Sequence, residues 1–246
     1  MGIWGKILGG AVGFAIGGPL GALVGAAAGH AYDRRQGGQG AGDADGPEGT
    51  KQTAFAIASI VLSAKMAKAD GTVTRDEVDA FKEVFRIPPD EMENVGRLFN
   101  QARKDSARFE PYAEQVARMF QQNPAVLEEL LGGLFHIAKA DGVAHPAEIR
   151  FLEEVARIFG FDEATFERIR AAHVGSAKSD PYAVLGIAPD ASDDDIRATW
   201  RKLTREHHPD TLIAQGMPQD FVDVATEEMA TINEAYDRIS KQRGLK

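Results

Sequence analysis

From Ile7 to Gly29 the chain carries no charged side chain. That run limits the N-terminal fold more than any other stretch. As a helix its 23 residues would span roughly 35 Å, enough for a bilayer core. Trp4 and Tyr32 bracket it, where interfacial aromatics are expected. Glycine recurs at every fourth position from Gly5 to Gly29. Such a groove lets two backbones approach closely in lipid. The pattern predicts a transmembrane helix over 1–35, with Gly9, Gly13, Gly17, Gly21 and Gly25 as a packing seam for a homodimer. Three other readings compete: a signal peptide cut near "AAAG", a glycine-rich soluble segment, and a re-entrant hairpin bent at "GGP". Lys6 on one side and Arg34–Arg35 on the other do not fix the orientation by charge alone.

The remaining composition narrows the function classes. A net charge of −9 over 246 residues argues against a general nucleic-acid binder. The absence of cysteine removes disulfides, thiolate catalysis and Cys-ligated zinc. There is no P-loop, so no enzymatic activity and no cofactor is expected. Residues 36–50, "QGGQGAGDADGPEGT", are too poor in apolar side chains to bury a core and predict a flexible linker.

Helical periods dominate 51–174. Thr74 followed by Glu77 forms a capping-box pattern, and Val78, Phe81 and Phe85 fall on one face of the helix that follows. An internal repeat is visible: "AKADGTVTRDEV" at 67–78 matches "AKADGVAHPAEI" at 138–149. Each copy predicts a long helix, a glycine stop, a turn and a new helix. An Asp-Gly with a later Glu suggests a calcium loop. The first-half ligand positions would be Met66 and Lys68, or Ile137 and Lys139, so an EF-hand is rejected. Asp70, Glu77, Asp141 and Glu148 remain as an acidic set that either holds another metal or caps helices. The doubled "AKADG" arrangement resembles the TerB-like helical domain named for tellurite-resistance proteins. The resemblance implies a compact all-α module. It also opens an alternative function, a metal-binding stress-response protein.

After a short hinge at 175–179, the last residues predict three helical pieces. Asp180 and Pro181 start the first, and Ser192 caps the second. On the second, Ile196, Trp200, Leu203 and His207 share one face, and Arg197, Arg201 and Arg205 form a basic stripe on another. The third starts near Pro218, with Phe221, Ala225, Met229, Ile232, Tyr236 and Ile239 inward. The two longer helices predict an antiparallel hairpin, with His208-Pro209-Asp210 at its connection. On its own residues this tripeptide lacks a nucleophile and a metal-ligand spacing, and it reads as a turn.

The ordered set "DPYAVLGI", "DDIRATWRKLTREHHPD" and "INEAYDRI" resembles the J domain of DnaJ-type co-chaperones over 180–246. The resemblance implies contact with an Hsp70 (DnaK) through His208, Pro209 and Asp210, with stimulation of its ATP hydrolysis. It implies electrostatic docking through Arg197, Arg201, Lys202 and Arg205. Taken whole, the chain resembles the membrane-anchored DnaJ-like co-chaperones of bacteria. That implies a single-pass inner-membrane protein with its C-terminal body in the cytoplasm. Neither a Gly/Phe-rich region nor a CxxCxGxG repeat is present. The expected fold is all-α: transmembrane helix, TerB-like bundle and J-domain hairpin.

Overall fold

In the computed structural model, residues 17–24, 47–68, 74–105, 108–140, 142, 144–173 and 179–245 are described. Among them all regular structure is helical. Helix α1 covers residues 18–24. The middle domain holds α2 (Pro47–Met66), α3 (Arg75–Val84), α4 (Met92–Lys104), α5 (Glu110–Phe120), α6 (Pro124–Ala138), α7 (Pro146–Phe159) and α8 (Glu163–His173). The C-terminal module holds α9 (Pro181–Leu185), α10 (Asp193–Glu206), α11 (Pro209–Ala214), a 3₁₀ turn at Gln219–Phe221, and α12 (Val222–Arg243).

Local chemistry sets most helix starts. Thr74 N–H donates to Glu77 Oε2 at 2.6 Å, and Glu77 N–H donates to Thr74 Oγ1 at 3.2 Å. This reciprocal cap satisfies two otherwise orphaned donors of α3. The second copy of the repeat builds the same device at α7. There His145 N–H donates to Glu148 Oε2 at 2.8 Å, and Ala147 N–H donates to His145 Nδ1 at 3.2 Å. The repeat in sequence is therefore a repeat of helix starts.

α2 is apolar on nearly every side. Phe55, Ile57, Ile60, Val61 and Leu62 are all buried, as expected for a helix enclosed by neighbours. It is the central post against which α4, α5 and α6 pack. α2 begins at Pro47, so residues 47–50 of the expected linker are helical; proline suits a first turn because its missing N–H would have no partner there. Residues 36–46 and 174–178 lie outside the described residues.

At the N-terminus, Gly17 and Gly18 both have φ of +60°, a left-handed conformation that glycine adopts without strain. Gln115 of α5 holds this turn: its Nε2 donates to Gly17 O at 3.0 Å and its Oε1 accepts from Leu20 N–H at 3.0 Å. A Cβ at Gly18 would lie 2.8 Å from Gln115 Oε1. Leu20, Leu23 and Val24 are buried in the middle-domain core. Gly17 is the residue before α1. Gly21 lies within α1, and Gly9, Gly13 and Gly25 lie outside the described residues. No helix among the described residues is long and apolar enough to cross a membrane.

The C-terminal module is a hairpin of α10 and α12 closed by α9. Its core is Val184, Leu185, Ile196, Leu203, Ile232, Ala235 and Ile239. Trp200 stacks on Tyr236 with centroids 4.3 Å apart, and its indole N–H donates to Asn233 Oδ1 at 2.8 Å. Arg243 ties the end of α12 back to the loop before α10. It donates to Tyr182 Oη at 3.0 Å and to Ala191 O at 2.6 Å.

Candidate partner-binding site

His208, Pro209 and Asp210 sit where α10 gives way to α11. Within this connection Pro209 is the first residue of a short helix and Asp210 lies in its first turn. His208 is the cap: its Nδ1 accepts from Asp210 N–H at 3.2 Å. Pro209 fixes φ and withholds a donor that would have no partner. The side chains face outward, His208 at 49% and Asp210 at 89% exposure, with 3.8 Å between imidazole and carboxylate. The tripeptide thus offers a ring, a rigid bend and an accessible carboxylate to a visitor.

The basic stripe lies on α10 beside it. Arg201, Lys202 and Arg205 are exposed and Arg197 is half-buried. Arg197 pairs with Asp194 at 3.3 Å, and Arg201 Nε donates to Arg197 O at 3.1 Å. Lys202 and Arg205 have no ion pair among the described residues. The other face of α10 holds Ile196 and Leu203 in the core. The helix is therefore anchored by one side and presents cations from the other.

His207, one residue before the tripeptide, points the opposite way and is 1% exposed. Its Nδ1 lies 2.9 Å from Glu129 Oε1, and its Nε2 lies 3.2 Å from Glu128 Oε2. Both glutamates belong to α6 of the middle domain. Glu228 of α12 completes the cage, with Oε1 3.7 Å from His207 Nδ1 and Oε2 3.2 Å from His173 Nε2. Arg168 of α8 bonds Glu128 and lies 3.6 Å from Glu228 Oε1. Lys139 donates to the His173 carbonyl. Glu128, His207 and Glu228 place potential ligand atoms within 4.8 Å of one another, yet the Arg168 guanidinium already balances charge there.

Burial works against charge on His207, but Glu228 and the hydrogen bonds to Glu128 and Glu129 overcome it and hold the imidazole pKa well above its usual value. Burial and the neighbouring Glu228 push Glu129 up to about 7, against the pull of His207. Burial would raise Glu228 too, but His207, His173 and Arg168 bring it below the ordinary carboxylate range. One buried carboxylate keeps its charge and another holds a proton near neutrality.

This arrangement fixes a pH dependence. A pKa raised by folding stabilises the fold fully below the unfolded value, and that stability disappears as pH rises through the folded value. For Glu129 the interval runs from about 4.5 to about 7, and His207 adds a further loss above its ordinary range. Glu228 acts oppositely and is lost only in strong acid. Urea midpoints should therefore decline from pH 5 towards alkaline pH. In Glu129→Gln the part of the slope between those two values should flatten. An unchanged slope would remove Glu129 from the account.

Two members of the acidic set of the repeat cap helices. Glu77 and Glu148 are the capping carboxylates of α3 and α7. Asp70 and Asp141 lie outside the described residues. The sequence patterns do not single out Glu128, Glu129, Arg168 or Glu228. A signal existed: "PAVLEELLGGLFHIA" places two acids in an otherwise apolar helix, where carboxylates need buried partners.

A hairpin with an outward His-Pro-Asp cap, joined to a doubled helical body, defines a J-domain co-chaperone. Three family models match in chain order. The co-chaperone DjlA transmembrane domain covers residues 1–51, tellurite resistance protein TerB covers 56–171, and the DnaJ domain covers 180–244. Curated relatives match along the whole chain. The co-chaperone protein DjlA of Shewanella oneidensis is 30% identical over 100% of both chains. That of Vibrio vulnificus is 31% identical over 100% of both. That of Photobacterium profundum is 29% identical over 99% of this chain and 100% of its own. No solved structure matches the chain at a significant level. The chain belongs to the DjlA co-chaperone family.

Proposed function

We propose that the protein stimulates ATP hydrolysis by an Hsp70 of the DnaK type, and that His208, Pro209 and Asp210 deliver the signal. The observation that supports this best is the contrast between adjacent histidines: His207 is locked inside while His208 and Asp210 face solvent. An exposed carboxylate at a rigid bend suits a charge-assisted bond to a partner arginine. Arg197, Arg201, Lys202 and Arg205 steer an acidic surface towards that bend and raise the association rate. The N-terminal segment anchors the chain in the inner membrane with the body on the cytoplasmic side, where DnaK is met. The middle domain places this activity near particular clients or partners. The protein itself hydrolyses nothing; it regulates the ATPase of its partner.

Charge reversal separates steering from signalling. Arg201→Glu with Lys202→Glu should slow association with DnaK by about tenfold or more at low salt, and the deficit should shrink as ionic strength rises. Stopped-flow association across a salt series measures this. A salt-independent deficit, or none, would reject the stripe as the docking surface.

A further inference from the structure

We infer that the middle domain clamps the J module on both sides of His208-Pro209-Asp210 and so fixes the direction in which the tripeptide faces. The inference rests on the reading of the tripeptide given above, but its structural basis is separate. On the amino-terminal side the anchor is His207, held by Glu128 and Glu129 of α6. On the carboxyl-terminal side the anchor is Leu212, fully buried in the middle-domain core together with Met217 and Phe221. Only residues 208–211 stand between the two anchors.

Phe221 is the apolar half of the grip. Its ring meets Phe55 of α2 at 4.8 Å and lies 4.9 Å from Phe85, just past α3. Gly216, with φ of +106°, passes so close to α2 that a Cβ there would be 3.0 Å from Lys51 Cβ. Around the rim, Arg86 pairs with Asp223, His136 Nδ1 lies 3.8 Å from Glu227 Oε2, and Asn123 Nδ2 donates to Gln215 O at 3.4 Å. Arg201, Lys202 and Arg205 of the basic stripe stay exposed beside the grip. The grip leaves the tripeptide and Lys202 open while it removes their freedom to turn. Binding an already ordered surface avoids the cost of ordering it. The clamp should then appear in the concentration needed for stimulation and not in the maximal rate.

Two variants release the clamp by different routes. Glu128→Lys sets a cation against Arg168 and His207. Phe221→Ala empties the apolar half and leaves the module's own core intact. The chain has no cysteine, so His136→Cys with Glu227→Cys provides a clean pair across the rim, bridged by a short bis-maleimide. With full-length protein in lipid vesicles, the pair should crosslink rapidly in the parent and slowly in both releasing variants. Both variants should raise the half-maximal concentration for DnaK stimulation by about tenfold, with the maximal rate unchanged, and the crosslink should restore the parental value. Failure of the parent to crosslink overturns the clamp, whatever DnaK does. Slow crosslinking with unaltered half-maximal concentration also overturns it, and so does a lowered maximum that the crosslink does not restore. If the parent crosslinks but stimulates nothing, the tripeptide reading fails, and the clamp's claim to orient it for DnaK is overturned with it.

Discussion

Full-length protein carrying His208→Gln is expected to fold as the parent does and to lose DnaK stimulation almost entirely. Half of the His208 side chain is exposed, and its inward bond is one cap to Asp210 N–H. Loss of a single cap costs on the order of 1 kcal/mol, which a body of this size tolerates. The partner contact is different. Removing one member of a desolvated polar pair costs roughly 2–5 kcal/mol, because its mate is left buried and unpaired. The lower bound already corresponds to about thirtyfold in the stimulated rate. Asp210→Asn should behave likewise, since it keeps the shape and removes the charge. Circular dichroism and urea melts report the fold, and a steady-state ATPase assay reports the stimulation. A variant that retains parental stimulation would show that the exposed ring is not read by the partner.

The second large effect is on stability. Arg168→Met should destabilise the full-length protein by about 3–5 kcal/mol. Arg168 is 8% exposed and faces Glu128 and Glu228, which are 13% and 0% exposed. Its removal leaves buried carboxylates without their permanent cation, and desolvation then dominates. A contrast tests the cause. Arg168→Met combined with Glu128→Leu and Glu228→Met removes the arginine together with the two carboxylates it balances, while His207 keeps Glu129 as its partner, so it should recover part of the loss. Urea denaturation at fixed pH compares the two. Equal destabilisation in the single and triple variants would show that packing of the arginine stem, not charge, sets the cost. The stem does pack closely: Arg168 Cδ lies 2.8 Å from where a Cβ would stand on Gly186.

Much of this architecture was legible in the residues because its causes are local. Thr74, Asp180 and Ser192 announce helix starts by chemistry that acts over two or three positions, and each caps as expected. The inward face of α10 follows from Ile196, Leu203 and His207 at helical spacing. α11 lies where the pattern predicts a turn, although His208 and Pro209 repeat the cap-then-proline pattern that Asp180 and Pro181 display. What was not legible depends on distant partners. Helical spacing places Met229 on the inward side of α12, yet it is half-buried and Glu228 takes the fully buried place. No local rule buries a glutamate; His207 on α10 and Arg168 on α8 make it favourable, and their proximity is a property of the fold. Joining two modules through such a cage is likewise invisible in a pattern that presents them as separate units divided by a hinge.

The interface also determines how the function must be measured. Residues 179–246 in isolation would expose Leu212, Met217 and Phe221 and strip His207 and Glu228 of their partners on α6 and α8. The direct measurement is therefore single-turnover hydrolysis of ATP by DnaK in the presence of the full-length protein held in vesicles. The account predicts a concentration-dependent acceleration that saturates. A hydrolysis rate that stays at its basal value at every concentration would contradict it.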